Sequence, residues 1–122
     1  MGYPFDPVSV ATFLRVSMQN GWCVSVVEDG DEIIGLCGVM IVPHYANFAY
    51  FQATEFVWHS IPSLSHLKRA KAMILMLEEM ERFAENKKLK LSVSTSTNFP
   101  SLAEFMEKRK YVKVESVYAK EN

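Results

Sequence analysis

Glu55 stands alone as a carboxylate inside an apolar run, Phe48 to Trp58, and that placement is the first chemical signal in the chain. A carboxylate among aromatic and β-branched neighbours loses hydration. Its pKa then rises toward that of a general base able to take a proton from an ammonium group. Strand alternation gives Glu55 the same side as Phe51, Ala53 and Val57. A strand-edge or hydrogen-bonded structural carboxylate satisfies the same pattern. His59 follows on the same run and is either a proton relay or a surface histidine. Ser92, Ser94, Thr95, Ser96 and Thr97 crowd a later strand end, which suits a cleft lining and a strand-to-loop turn equally. His44, His59 and His66 show no metal-like spacing with cysteines or acids, so no metal site is expected. No glycine-rich phosphate loop or dinucleotide fingerprint occurs.

Basic residues offer a second kind of chemistry. Up to Leu64 the acids are Asp6, Glu28, Asp29, Asp31, Glu32 and Glu55, against the single base Arg15. Beyond it the bases gather at Lys68-Arg69-Lys71, Lys87-Lys88-Lys90 and Lys108-Arg109-Lys110-Lys113. Such clusters suit the phosphates of a cofactor or of nucleic acid, and any one of them is equally a solvated face. The eight acids interspersed in that half argue against nucleic acid.

These groups must be positioned by one small domain, 1–122, with 49% hydrophobic residues and no repeat or low-complexity tract. Cys23 and Cys37 lie in apolar strand-like runs and read as buried free thiols of a reducing compartment. The longest apolar stretch, Ile33 to Pro43, is too short to span a bilayer, and the N-terminus has no signal-peptide pattern. A soluble cytoplasmic protein is expected.

Asp6-Pro7 is a helix start and Asn20-Gly21 its end. Strands follow at Trp22–Glu28 and Glu32–Val42, joined by Asp29-Gly30-Asp31, with Gly35 and Gly38 allowing a bulge or a close approach. After a loop from Pro43 to Asn47 comes the strand Phe48–Trp58, then a loop from His59 in which Ser63 or Ser65 caps the next helix. That helix, Leu67 to Asn86, puts Leu67, Ala70, Met73, Ile74, Leu77, Met80 and Ala84 on one stripe and pairs Glu78 with Arg82. A strand through Leu89–Thr95, a helix at Leu102–Arg109 and a last strand at Tyr111–Ala119 complete the order.

That order, together with Glu55-Phe56-Val57, Lys68 to Met73, Leu77, Glu81 to Ala84 and Lys110 to Glu115, resembles the GNAT (N-acetyltransferase) superfamily. The closing Tyr111 to Glu121 is similar to the end of GNAT-like proteins of bacteriophages. The resemblance covers Trp22 to the C-terminus. It implies an α/β (α+β) fold with a central mixed, mostly antiparallel sheet, flanking helices and a truncated N-terminus. In that superfamily a β-bulge splays one strand from its neighbour and acyl-CoA lies in the gap. Its pyrophosphate rests on N–H groups at a helix start, which carry unpaired donors and the positive end of the helix dipole.

By that resemblance Lys68, Arg69, Ala70, Lys71, Ala72 and Met73 hold the pyrophosphate of acetyl-CoA. Phe56, Val57 and Trp58 offer backbone to its pantetheine arm. Lys71 and Met73 stand where the family pattern has glycines, and Met106 where it often has a catalytic tyrosine. The implied activity moves an acetyl group from acetyl-CoA to an amine acceptor, with Glu55 as base and His59 as a possible relay. The alternative is a non-catalytic GNAT-fold binding protein or phage structural protein. Expected partners are the acyl-CoA, an unspecified amine, and a second copy or a phage or host protein, with no membrane.

Overall fold

The structure, a computed structural model, describes residues 6–44, 46–94 and 101–111. They fall into two compact units, 6–93 and a second to which Ser94 and 101–111 belong, and each is described by itself.

The larger unit begins with α1, Pro7–Gln19. Asp6 caps it, accepting from Val8 N at 3.2 Å and Ser9 Oγ at 2.5 Å. These bonds, the Ser9 hydroxyl first, hold the Asp6 carboxyl below its usual value. The helix ends at Asn20, and Gly21 at φ +74° turns the chain into β1, Cys23–Asp29. Gly30, at φ +63°, makes the hairpin turn into β2, Glu32–His44. Then β3, Asn47–Ser60, runs back antiparallel to β2. Both strands are longer than their sequence pattern predicts, because hairpin pairing continues through Pro43 and His44 and reaches His59 and Ser60.

Next comes α2, His66–Lys87, capped by Ser65. It ends at Lys88 in the left-handed conformation (φ 58°), a position more often filled by glycine. Pairing beyond it shrinks to β4, Leu91–Ser92, parallel to Ala53 and Thr54 of β3. The sheet is therefore mixed and mostly antiparallel, in the order β1-β2-β3-β4.

The core lies between the sheet and α2. Cys37, Val39 and Ala53 face Met73, Met76, Leu77 and Met80, all buried. The predicted helix stripe is rotated. Leu67 is exposed, Ala70 and Ile74 are half-buried, and Ala72 and Met76 take buried positions instead. Arg82 pairs with Glu79 rather than Glu78. Gly35 makes room for Met76, whose terminal methyl would sit 2.9 Å from an added Cβ.

In the second unit, α3 spans Ser101–Lys108, with Glu104 and Lys108 at 3.6 Å and Arg109 over the Phe105 ring. Thr95–Thr97 and the expected strand after Tyr111 lie outside the described residues.

Candidate functional site

The end of β3 is shaped by a bulge. Gly38 pairs with Val57 and Val39 with Glu55, so Phe56 is an extra residue in β3. Its ring occupies the space above Gly38, where an added Cβ would lie 2.2 Å from the ring. The Phe13 ring meets it in a T-shaped contact at 5.2 Å between centroids, with Trp22 at 6.4 Å. The bulge also changes which residues share a face. Glu55 lies with Phe51 and Ala53 as alternation predicts, but Val57 is switched to the opposite face, because one inserted residue reverses the order.

Cross-strand partners Cys37 and Trp58 both reach α2. The Cys37 thiol points at Met76 O (3.9 Å) and the Trp58 indole N–H donates to Met73 O at 3.1 Å. Glu55, paired with Val39, is half-buried on that helix-covered face. His59 follows Trp58 and faces the other way, exposed. The two proposed proton carriers are thus on opposite faces of the sheet, and a relay between them has no direct geometry.

Three bonds fix the strand end to its surroundings. Besides the Trp58 indole, Arg69 Nε donates to the buried Ser60 hydroxyl at 3.1 Å, and Ile61 N donates to Ile34 O at 2.9 Å. Ser60 carried no signal in the sequence, since a serine at a strand end reads as ordinary turn chemistry.

On its outer side β3 parts from its neighbour early. Ala53 N donates to Lys90 O, and the pairing with β4 covers Ala53 and Thr54 only, ending just before the bulge. Thr54 Oγ1 is buried there with no hydrogen-bond partner among the described residues. Beyond it Glu55 to Trp58 have no strand on that side among the described residues.

At the helix start, Ser65 Oγ accepts from Lys68 N at 3.3 Å and Ser65 O accepts from Arg69 N at 2.9 Å. The amides of Ala70, Lys71, Ala72 and Met73 lie inside the helical ladder and are spent within the helix. Ala72 and Met73 turn their side chains into the core, while Lys71 is exposed. Lys68 reaches Asp29 at the end of β1, Nζ to Oδ2 2.7 Å, and this hydrogen bond leads the causes that hold its pKa above the usual value.

The fold that carries this bulge and strand end matches those of solved acetyltransferases. An acetyltransferase from Trypanosoma brucei matches with a TM-score of 0.69 at 18% identity, covering 98% of this chain and 82% of that one. A predicted acetyltransferase from Clostridium acetobutylicum, solved with acetyl-CoA, matches at 0.67 and 14% identity over 99% and 79%. AAC(6')-Iy, solved with the bisubstrate analogue CoA-S-monomethyl-acetylneamine, matches at 0.68 and 16% identity over 99% and 82%. The chain has the GNAT acetyltransferase fold. No protein-family model matches the sequence, and no curated protein sequence matches it.

Elsewhere in this GNAT-fold chain the chemistry is quieter. Cys23 and Cys37 are free thiols, half-buried and buried. Burial first, then Cys23 and Glu79, pushes the Cys37 thiol up to about 12, away from any nucleophilic role near neutral pH. A groove of about 450 Å³ lies at the opposite end of β3, between Tyr50 and Phe51 on one side and Lys88 to Lys90 on the other. Among the described residues no group of three His, Cys, Asp or Glu could hold a metal ion. None of their helices is long and apolar enough to cross a membrane.

Proposed function

We propose that this chain binds acetyl-CoA where β3 and β4 part and transfers its acetyl group to an amine. The supporting observation is the early end of that pairing: β4 stops at Ser92, next to the bulge, and among the described residues no strand pairs with Phe56 to Trp58 on that side, where an extended pantetheine arm would find backbone donors and acceptors. The orphaned Thr54 hydroxyl at the parting point fits a bound group or an ordered water. The pyrophosphate belongs at the N-terminus of α2, at the positive end of its dipole, with Lys71 supplying charge where glycine would supply room.

Acetyl-CoA supplies a thioester whose carbonyl carbon accepts the amine nitrogen. Glu55 takes the ammonium proton, directly or through one water, so that the nitrogen lone pair is free to attack. A backbone N–H of that strand end donates to the thioester oxygen as charge develops on it. The C–S bond then breaks and the thiolate leaves with the electron pair. The nitrogen, cationic after the attack, gives its second proton to solvent, and the thiolate takes one from solvent or from Glu55. A reducing cytoplasm, bacterial or phage-infected, suits the free thiols.

A second reading, a binding or virion protein that keeps the fold without the reaction, is favoured by one observation. Lys68 is already held by Asp29, and Lys71 and Met73 occupy the glycine positions. Titration calorimetry with acetyl-CoA and with CoA separates the two. Binding that Lys71→Glu weakens about ten-fold and Glu55→Gln spares, while Glu55→Gln lowers turnover about 10²-fold or more, supports the enzyme. Binding without turnover on any amine supports the second reading. No heat at millimolar ligand removes both acyl-CoA roles.

A further inference from the structure

The connection from α2 to β4 runs beside the first half of β3 before it pairs. It meets the strand where Ala53 N donates to Lys90 O at 2.9 Å, and the pairing covers only Ala53 and Thr54. Ahead of that point the two segments stay apart, and the groove of about 450 Å³ opens between Tyr50 to Gln52 and Lys88 to Lys90. Clefts of roughly 300–1,000 Å³ hold small molecules. Tyr50 is 68% and Phe51 54% exposed, so two aromatic side chains are open to a ligand. Lys88 and Lys90 stand across from them, and no carboxylate lines the groove among the described residues. Neither lysine has an ion pair among those residues, whereas Lys68, Arg82 and Lys108 each hold an acid. The amide of half-buried Gln52 has no hydrogen-bond partner among them either.

Lys88 is fixed in a conformation that suits glycine better. Its N–H donates to Glu85 O at 3.0 Å and that of Leu89 to Ala84 O at 2.9 Å, a turn that sets Lys88 at φ 58°. Lys87, in the last turn of α2, is accounted for by the negative end of the helix dipole. That effect falls off within the turn and does not account for Lys90. We infer that the groove binds a small aromatic carboxylate, its ring against Tyr50 and Phe51 and its carboxylate held by the Lys88 and Lys90 ammonium groups. Ring contact and charge-assisted hydrogen bonds supply the two halves of that recognition, and the Gln52 amide offers a further donor. A carboxylate is selected over a phosphate because α2 ends here: its dipole opposes a second negative charge, and no helix start lends amides. Phe51 is four residues along β3 from Glu55, roughly 13 Å, and the inference does not rest on the acyl-CoA reading.

Amide NMR of the full chain titrated with millimolar 1-naphthoate should show saturable shifts at Tyr50–Gln52 and Lys88–Lys90. 1-Naphthol keeps the ring without the charge and acetate the charge without the ring, and each should bind at least about ten-fold more weakly. Lys88→Gly should weaken 1-naphthoate about ten-fold while leaving the melting temperature unchanged or raised, since glycine relieves the turn. Lys90→Gln should weaken it to a similar extent. No saturable shift, shifts only elsewhere, or 1-naphthol binding as tightly as 1-naphthoate overturns the inference. Tighter binding of 1-naphthyl phosphate overturns the choice of a carboxylate. Folded Lys88→Gly and Lys90→Gln proteins that bind like the wild type overturn the role of the lysines, and Lys90→Gln decides the matter if Lys88→Gly fails to fold.

Discussion

The two helices of the larger unit sit on the same sheet but are built differently. α2 buries Ala72, Met73, Met76, Leu77, Met80 and Ala84 and turns Lys71, Glu78 and Arg82 to water. α1 buries only Ser17, whose hydroxyl donates to Phe13 O at 2.8 Å, and leaves valines and a methionine exposed on its outer side. The face under α2 is therefore the stable half of the protein and holds the strand end that forms the candidate site. The α1–β1 flank contributes an aromatic contact to the bulge and a sheet edge with no strand beside it among the described residues.

Core truncation should expose this contrast most strongly. Leu77→Ala is expected to cost about 2–5 kcal/mol, against about 0.5 kcal/mol or less for Val16→Ala, both read by urea denaturation of the monomer. Alkaline pH comes next. Cys37 keeps its proton in the folded protein up to about 12, whereas an unfolded thiol loses it above 9.0. The native state then binds more protons, so stability falls as pH rises between those values, by at most about 1.4 kcal/mol per pH unit. A Cys37→Ala protein should lose stability less steeply over that range, which pH-dependent thermal melts would detect.

The two strand glycines give a finer comparison. A Cβ at Gly38 would meet the rigid Phe56 ring at 2.2 Å, whereas at Gly35 it would meet the flexible end of Met76 at 2.9 Å. Gly38→Ala is expected to cost about 1–3 kcal/mol and to disturb the bulge, and Gly35→Ala less than about 1 kcal/mol. Equal costs would mean that the Phe56 ring does not hold the bulge. The helix cap offers a further mild perturbation: Ser65→Ala should cost about 1 kcal/mol, measured in the same denaturation series.

Much of this was legible in the residues. Asp6-Pro7, Asp29-Gly30 and the two strand glycines placed a capped helix, a hairpin and close approaches correctly, because each acts through its immediate neighbours. The stripe of α2 was turned, since its sequence is apolar at Leu67, Leu75 and Ile74 as well as at Met76, and only the sheet decides which of these is buried. The face of Val57 was misjudged because strand alternation assumes an unbroken period, and one bulged residue reverses it. Glu55 and His59 are alternative proton carriers along one strand by the sequence pattern, and the bulge sends them to opposite faces. The bonds from Arg69 to Ser60 and from Lys68 to Asp29 join residues 9 and 39 apart, beyond the reach of local pattern.

The cradle at the end of β3 carries the functional account, and the groove at its other end is its internal control. Backbone amide NMR during acetyl-CoA titration compares them directly. Shifts concentrated at Glu55–Ile61 and His66–Lys71, with Tyr50–Gln52 and Lys88–Lys90 unmoved, are the expected result. Shifts confined to Tyr50–Gln52 and Lys88–Lys90, or none at millimolar acetyl-CoA, would contradict it.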